Sequence, residues 1–126
     1  MTRKLISTGS PFERMAGYSR AVIIDDECFV SGTTGYDYST MTMPGDVGGQ
    51  TRNALETIGR TLGEANFAFA DVVRARYVVT DRAYVHAVFA ILGETFGEVR
   101  PAATMIVAGL IEPEMKVEIE VTAKRS

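Results

Sequence analysis

Two acidic side chains near the C-terminus alternate with apolar ones in a pattern that suits chemistry. Val117, Ile119 and Val121 share one face of a predicted strand, so Glu118 and Glu120 project from the other. A carboxylate on the face opposite the core could hold a water molecule and act as a general base.

The alternative for both carboxylates is structural. Arg74 and Arg76 alternate outward on another predicted strand, and each could pair with one of the two glutamates. Cross-strand pairs of opposite charge stabilise a sheet by about 0.2–1 kcal/mol each. From the residues alone, both interpretations of Glu118 and Glu120 stay open.

Length, charge and composition limit what kind of protein this chain is. It has 126 residues, 46% of them hydrophobic and 23% charged, so we expect one folded domain spanning residues 1–126. A net charge of −3, with no basic cluster before Lys124-Arg125, argues against nucleic acid as a partner. No apolar stretch approaches the ~20 residues that cross a membrane, and the N-terminus lacks a signal-peptide core. The single cysteine, Cys28, cannot form an internal disulfide and reads as a core residue, which favours a cytoplasmic location.

Hydrophobic periodicity predicts six strands and two main helices along the chain. The predicted strands are Lys4–Ser7, Ser19–Ile24, Cys28–Thr34, Asp71–Val79, Ala103–Val107 and Lys116–Ala123. Within the fourth strand, period-two alternation predicts one face made of Val73, Ala75, Tyr77 and Val79 and another made of Val72, Arg74, Arg76 and Val78. Ser10, followed by Pro11 and Glu13, predicts a brief helical turn before the second strand.

Capping residues mark the two main helices. Asp46 can cap a helix that runs to about Ala65, and Asp81 can cap another that ends near Gly97. The apolar stripe of the first helix consists of Val47, Ala54, Leu55, Ile58, Leu62 and Ala65, and that of the second of Val85, Val88, Phe89, Leu92 and Phe96. These stripes predict an α+β two-layer sandwich, in which a mixed sheet of about six strands carries two helices on one face.

Several short segments, in their order along the chain, resemble the Rid/YjgF family of reactive-intermediate deaminases. They are Gly17-Tyr18, Phe29–Gly32, Gln50–Leu55, Val78–Asp81, Arg100-Pro101-Ala102 and Val117–Glu120. The resemblance implies a homotrimer with a small-molecule site in the cleft between subunits. It also implies hydrolysis of enamines or imines without a metal or a cofactor.

The resemblance assigns roles to seven positions of this chain. Glu118 would handle the catalytic water, and we therefore expect it to be functional and Glu120 to be structural. The remaining cleft positions, which would contact the substrate, are Tyr18, Ser31, Gly32, His86, Ala103 and Thr104.

Ala103 departs from the family pattern, because the resembling proteins carry an arginine there that binds the substrate carboxylate. Alanine offers neither charge nor hydrogen-bond donor, so we expect weaker recognition of α-imino acids. Arg20 or Arg100 could supply a replacement cation. The alternatives are an exposed strand charge for Arg20 and a solvated loop residue for Arg100.

The other positions have structural alternatives. His86, where deaminases commonly have asparagine, could be a new acid or base or an exposed helix residue without chemistry. Tyr18 could pack at a strand end with its hydroxyl at the rim, and Thr104 could be an ordinary β-branched strand residue. Ser31 lacks the flanking pattern of a catalytic nucleophile, while Gly32 would let the backbone approach a ligand.

Two functions from different classes follow. One is a hydrolytic deaminase of enamines or imines with a less carboxylate-dependent substrate choice, which Glu118 favours. The other is a trimeric protein that binds a small metabolite in the same cleft without turnover, which Ala103 favours.

Overall fold

A computed structural model describes residues 2–126 and shows a six-stranded sheet with helices against one face. The strands are β1 (Arg3–Ile6), β2 (Ala21–Ile24), β3 (Glu27–Thr33), β4 (Val72–Val79), β5 (Ala102–Val107) and β6 (Val117–Lys124). The helices are α1 (Pro11–Ala16), α2 (Val47–Glu64) and α3 (Val85–Phe96), with short 3₁₀ turns at Phe69–Asp71 and Arg82–Tyr84. The predicted α+β two-layer class is confirmed. No helix in residues 2–126 is both long and apolar enough to cross a membrane.

The strand order across the sheet is β1-β2-β3-β6-β4-β5. All neighbours are antiparallel except β4 and β5, which are parallel and joined by the crossover that contains α3. The C-terminal strand β6 therefore lies in the middle of the sheet, between β3 and β4. Its alternate residues Val117, Ile119, Val121 and Ala123 are buried beneath the helices.

The caps predicted at Ser10 and Asp46 form, whereas Asp81 caps the 3₁₀ turn Arg82–Tyr84 that leads into α3 and not α3 itself. The Ser10 side chain accepts a hydrogen bond from the Phe12 backbone N–H at 3.2 Å, and Pro11 opens α1. Asp46 accepts from the Gly49 N–H at 2.8 Å and starts α2. These bonds satisfy backbone donors that the first turn of a helix would otherwise leave unpaired.

The apolar stripe of α2 forms much of the core, as its spacing predicts. Its buried members are Ala54, Leu55, Ile58, Leu62 and, at the C-cap, Ala65. They pack over β3 and β6, so the opposite face of the sheet is left without a helix. We call that uncovered side, which carries Phe29, Ser31, Arg74, Arg76, Glu118 and Glu120, the open face.

One end of β4 contradicts the predicted alternation. Val72 is buried at 3% exposure, whereas Val73, which the pattern placed on one face with the buried Ala75, is 49% exposed. The pairing of β4 with β6 shifts register between Val72 and Arg74. Such an irregularity adds one residue to a strand and reverses the faces on one side of it, so simple alternation fails there.

The inner face of α3 also differs from prediction at one position. Phe89 is 52% exposed, whereas Ile91 is buried. Both residues flank the apolar stripe of α3, and the position of the neighbouring helix α2 determines which of them is buried. The first turn of α2 lies on the Ile91 side, where the Ile91 Cδ1 is 3.7 Å from the place a Cβ on Gly48 would occupy.

A buried glutamine ties the beginning of α2 to the segment that leads into β6. The Gln50 Nε2 donates to the carbonyls of Pro44 and Glu114, both at 2.9 Å. The Lys116 N–H donates to the Gln50 Oε1 at 2.8 Å. The start of β6, and with it the position of Glu118, is therefore fixed by a fully bonded polar side chain.

Candidate functional site

Glu118 lies in the centre of the open face. It is partly buried on β6, directly across from Val78 of β4. On its other side is Gly32 of β3, and a Cβ added to Gly32 would come within 2.7 Å of the Glu118 Cδ and 2.8 Å of its Oε1. The carboxyl group therefore packs against the backbone of Gly32, and the side chain of any larger residue at position 32 would overlap with it.

The β3 backbone is irregular at this point. Its pairing with β6 shifts register between Val30 and Thr33, which brackets Ser31 and Gly32. The Ser31 hydroxyl donates to the Ser19 carbonyl at 2.6 Å, so its proton is already engaged in holding β3 to the segment before β2. This contact fits a positioning role for Ser31 rather than that of a nucleophile.

Glu118 and Glu120 have different surroundings, although they share a face. Glu120 Oε1 lies 3.7 Å from the Arg76 Nε, in a pair that is about half exposed. Within residues 2–126, no Lys, Arg or His nitrogen lies within 4.0 Å of the Glu118 carboxylate. Among the described residues, Glu120 therefore takes part in a cross-strand ion pair, and Glu118 does not.

The environment of Glu118 favours its protonated form. Burial raises the pKa of the Glu118 carboxyl, the nearby Glu120 raises it further, and the positive charge of Arg20 opposes both. A carboxylate with a raised pKa is a stronger base than an ordinary glutamate. In its ionised form it can therefore take a proton from water more readily than an ordinary glutamate can.

Arg20 is not the exposed strand charge that one alternative predicted, since its side chain is only 1% exposed. Its Nη1 donates to the Gly32 carbonyl at 2.8 Å and to the Thr33 Oγ1 at 2.9 Å. Its guanidinium carbon lies 5.7 Å from the ring centre of Tyr18 and 5.0 Å from that of Tyr38. The cation is therefore enclosed by β3 and two tyrosines directly beside the Glu118 site.

Glu13 on α1 completes the surroundings of Arg20 and was not predicted to have this role. Its Oε2 accepts from the Thr8 hydroxyl at 2.6 Å and the Thr8 N–H at 3.1 Å, and lies 3.8 Å from the Arg20 Nε. Burial raises the pKa of Glu13, but hydrogen bonds from Thr8 and Ser7 and the charge of Arg20 hold it below its ordinary value. The sequence indicated Glu13 only as a residue of the first helical turn and gave no signal for Tyr38, because periodicity and capping patterns do not show which side chains meet around Arg20.

Ala103 lies on the other side of the sheet from Glu118. Its parallel pairing with Ala75 places it on the helix side of the edge strand β5. There it lines a groove of about 390 Å³ with Tyr77, Leu92 and Arg100. Arg100 adopts a left-handed backbone conformation, with φ of 55°, in the loop before Pro101.

The other two predicted positions are also distant from Glu118. Thr104 pairs with Arg76 in the β4–β5 register, so the whole of β4 separates it from β6. At ordinary strand spacing that separation is about 10 Å. His86 is exposed near the start of α3, with its ring edge-on to Phe89 at 6.4 Å between ring centres.

The predicted site residues therefore form two separate groups in one chain. Tyr18, Ser31, Gly32 and Glu118 lie around the open face beside Arg20. Ala103, Thr104 and His86 lie toward β5 and α3. A single chain does not bring the two groups into one cleft.

A further cavity of about 470 Å³ shares Tyr38 with the surroundings of Arg20. It is bounded by the end of β1, the segment 36–39 and one side of α2, and its polar lining includes Asp37, Asn53 and Arg60. None of the predicted site residues reaches it. In the part of the chain that the structure describes, no group of three or more His, Cys, Asp or Glu side chains is arranged to bind a metal ion.

Comparisons with known proteins agree with the fold. Residues 8–125 match the family model described as Endoribonuclease L-PSP. A 2-iminobutanoate/2-iminopropanoate deaminase from Bos taurus is 31% identical over 98% of this chain and 90% of its own length. An uncharacterized protein from Streptomyces coelicolor is 33% identical over 95% of this chain and 90% of its own.

A solved structure extends the similarity to three dimensions. A Mycobacterium tuberculosis member of the YjgF/YER057c/UK114 family superposes with a TM-score of 0.89 at 42% identity, covering 98% of this chain and 100% of the other. The match spans the strands and helices that carry Gly32 and Glu118. On sequence and structure together, this chain belongs to the YjgF/Rid family.

Proposed function

We propose that the protein hydrolyses small imines, and the enamines in equilibrium with them, with Glu118 as the general base. The observation that carries this proposal is the half-buried Glu118 carboxyl, which has no ion-pair partner within residues 2–126 and rests on the bare backbone of Gly32. Similarity to the bovine iminobutanoate deaminase supports the reaction class.

The reaction consumes one water molecule and releases ammonia. The Glu118 carboxylate takes a proton from water as the oxygen bonds to the imine carbon, and it gives that proton to the nitrogen, which receives the C=N electron pair. The Glu118 carboxylate then takes the hydroxyl proton of the carbinolamine and passes it to the nitrogen as the C–N bond breaks and the C=O bond forms. A carbonyl compound and ammonia leave, and no redox partner is required.

The two groups of candidate residues support a site that is shared between subunits. The open face of one copy would meet the β5 edge of another, so that Glu118 and Ala103 line one cleft. Exposed apolar residues on the open side of the first three strands, Leu5 and Phe29 with Val22 between them in register, give that face a reason to be covered. We therefore propose the homotrimer that is typical of the family.

Mass measurement by light scattering tests the assembly. At micromolar concentration, the purified protein is expected to have three times the mass of one chain. A monomer that is nonetheless active would contradict the shared cleft.

Within this proposal, substrates are small and need no carboxylate. Ala103 cannot form the paired, charge-assisted hydrogen bonds that hold a carboxylate. The 390 Å³ groove beside Ala103 also has apolar walls from Leu92 and Phe96, which favour a neutral side chain.

Ala103 also favours a second candidate, in which the cleft binds a metabolite without turnover. Ammonia release separates the two. Imines generated by an amino-acid oxidase (carboxylated) and by an amine oxidase (neutral) are offered with and without the protein, with a family member of known activity as control. Acceleration of the neutral imines supports hydrolysis, whereas tight binding of the carbonyl products without any acceleration supports the binding protein.

The family description also raises RNA cleavage, which the charge distribution does not favour. The chain carries a net charge of −3. Binding to RNA depends on neutralising phosphates with clustered Lys and Arg. Incubation with single-stranded RNA under the same conditions is expected to leave it intact, with no salt-dependent binding.

A further inference from the structure

Arg20 is a buried cation whose electrostatic compensation is incomplete. Its only carboxylate neighbour within 4.0 Å in residues 2–126 is Glu13, at 3.8 Å from Nε, and that carboxylate already accepts two bonds from Thr8. The Arg20 Nε itself is buried without a hydrogen-bond acceptor. Removing a charge from water in this way is costly, and a packed apolar side chain would often serve the fold as well.

The Arg20 guanidinium and the Glu118 carboxyl both contact Gly32. The Arg20 Nη1 donates to the carbonyl oxygen of Gly32, and the Glu118 carboxyl packs against the Cα of Gly32. Where burial excludes water, the attraction between opposite charges is larger than it is at a surface. Arg20 is therefore placed to act on Glu118 both through space and through the Gly32 backbone.

Direct contact between Arg20 and a substrate does not fit this geometry. The side chain is 1% exposed, two protein acceptors take its Nη1, and the rings of Tyr18 and Tyr38 flank it. Assembly with other copies can only deepen that burial. Arg20 thus does not act as the substitute for the arginine that Ala103 replaces.

We propose that Arg20 is a positioning residue that keeps Glu118 ionised and fixes the Gly32 backbone on which the Glu118 carboxyl rests. This inference rests on the proposed function only in so far as the ionised carboxylate is the base. The positive charge of Arg20 would offset part of the effect that burial and Glu120 have on the Glu118 carboxyl.

The charged groups around Glu118 determine in which direction each substitution should shift its pKa. Glu120 on the same strand disfavours its ionisation, and Arg76 of β4 faces Glu120. Arg20, the residue before β2, favours ionisation, and the Glu13 carboxylate of α1 lies 3.8 Å from the Arg20 Nε. Removing Arg20 should therefore raise the pKa of Glu118, and removing the Glu13 charge should lower it.

The test is a direct titration of the Glu118 side-chain carboxyl by carbon-13 NMR, with its signal assigned by its loss in Glu118→Gln. Three Arg-site proteins are compared: the parent, Arg20→Gln and Arg20→Lys. Arg20→Gln should shift the midpoint to higher pH, and Arg20→Lys, which keeps the charge, should restore most of the parent value. Arg52→Gln on the exposed side of α2 is the matched control and should leave the midpoint unchanged.

Glu13→Gln is a second, independent test, which can be used if Arg20→Gln does not fold. Its amide oxygen can still accept from Thr8, and the Glu118 midpoint should then move to lower pH. Opposite shifts in the two variants are not expected from a merely structural loss of packing. An unchanged midpoint in whichever of these variants folds would overturn the inference.

The readout also separates this inference from the proposed function. If the midpoints shift as stated but no variant or parent releases ammonia from any imine, the proposed reaction is wrong and the role of Arg20 stands. If the parent is an active deaminase and the midpoints do not move, the reaction stands and the role of Arg20 is wrong.

Discussion

The Glu118 carboxyl rests against Gly32, with its Cδ only 2.7 Å from the position that a Cβ on Gly32 would occupy. The two residues are brought together by the β3–β6 pairing, at the point where its register shifts. Glycine is required here by proximity rather than by backbone conformation, since Gly32 does not have a positive φ. The position of the Glu118 carboxyl therefore depends on residue 32 of β3 having no side chain.

Gly32→Ala should displace the Glu118 carboxyl and leave the fold in place. The new methyl group would meet the flexible end of Glu118, which can rotate away at small cost. We expect the imine-hydrolysis rate to fall by roughly tenfold or more, as a misplaced general base predicts, with only a small change in melting temperature.

Gly63→Ala is the matched control, because a Cβ there meets nothing within 4 Å on the exposed side of α2. It should stabilise the helix by about 0.5–1 kcal/mol and leave activity unchanged. Equal activity in Gly32→Ala and the parent would show that the Glu118 position is not critical.

Glu118→Gln should stabilise the protein near neutral pH. Because the pKa of Glu118 is higher in the folded chain than in the unfolded one, the folded chain holds this proton more tightly. The associated stability is complete below the unfolded pKa and is lost as the pH rises through the folded pKa. Glutamine cannot ionise, so the variant should melt above the parent at about pH 7 and together with it at about pH 4.

Differential scanning calorimetry at both pH values checks this expectation. Glu56→Gln, in an exposed pair with Arg60 on α2, serves as control and should melt close to the parent at each pH. A Glu118→Gln variant that is less stable than the parent at neutral pH would mean that the carboxylate makes a stabilising contact.

Local patterns predicted the elements of this fold well, because helices and strands depend on neighbours in sequence. The Ser10 and Asp46 caps and the buried stripe of α2 follow from residues within a few positions of one another. The placement of β6 between β3 and β4 has no such local signal. Nor does the irregularity that exchanges the faces of Val72 and Val73.

The candidate site was predictable only in part for the same reason. The alternation around Glu118 placed it on the face opposite the helices, and the structure has it there. The burial of Arg20 depends on Glu13, Gly32 and Tyr38, which come from three other segments. A strand charge with no local partner gave no reason to expect enclosure.

Ala103→Arg should change substrate choice toward carboxylated imines. Ala103 borders an open groove, so a longer side chain has room. A charge-assisted bond to a carboxylate contributes about 1.5–3 kcal/mol, which corresponds to roughly a ten- to hundredfold gain in kcat/KM for 2-iminopropionate. Rates on a neutral imine should change little.

Ala108→Arg is the control for this substitution, because it adds the same side chain at an exposed position just beyond β5. It should leave the ratio of the two rates as in the parent. A parent that already processes carboxylated imines as fast as a family member carrying the arginine would contradict the proposed role of Ala103, and would mean that another cation binds the carboxylate.

Whether Glu118 is the base in imine hydrolysis is decided by comparing it with the neighbouring Glu120. Ammonia release from a neutral imine is measured for the parent, Glu118→Gln and Glu120→Gln under identical conditions. Loss of a general base predicts a fall of about a hundredfold or more for Glu118→Gln. Glu120→Gln removes the surface pair with Arg76 and one nearby negative charge but keeps the base, so its rate should stay within a few-fold of the parent. Turnover by a folded Glu118→Gln variant at the parent rate would show that Glu118 is not the base.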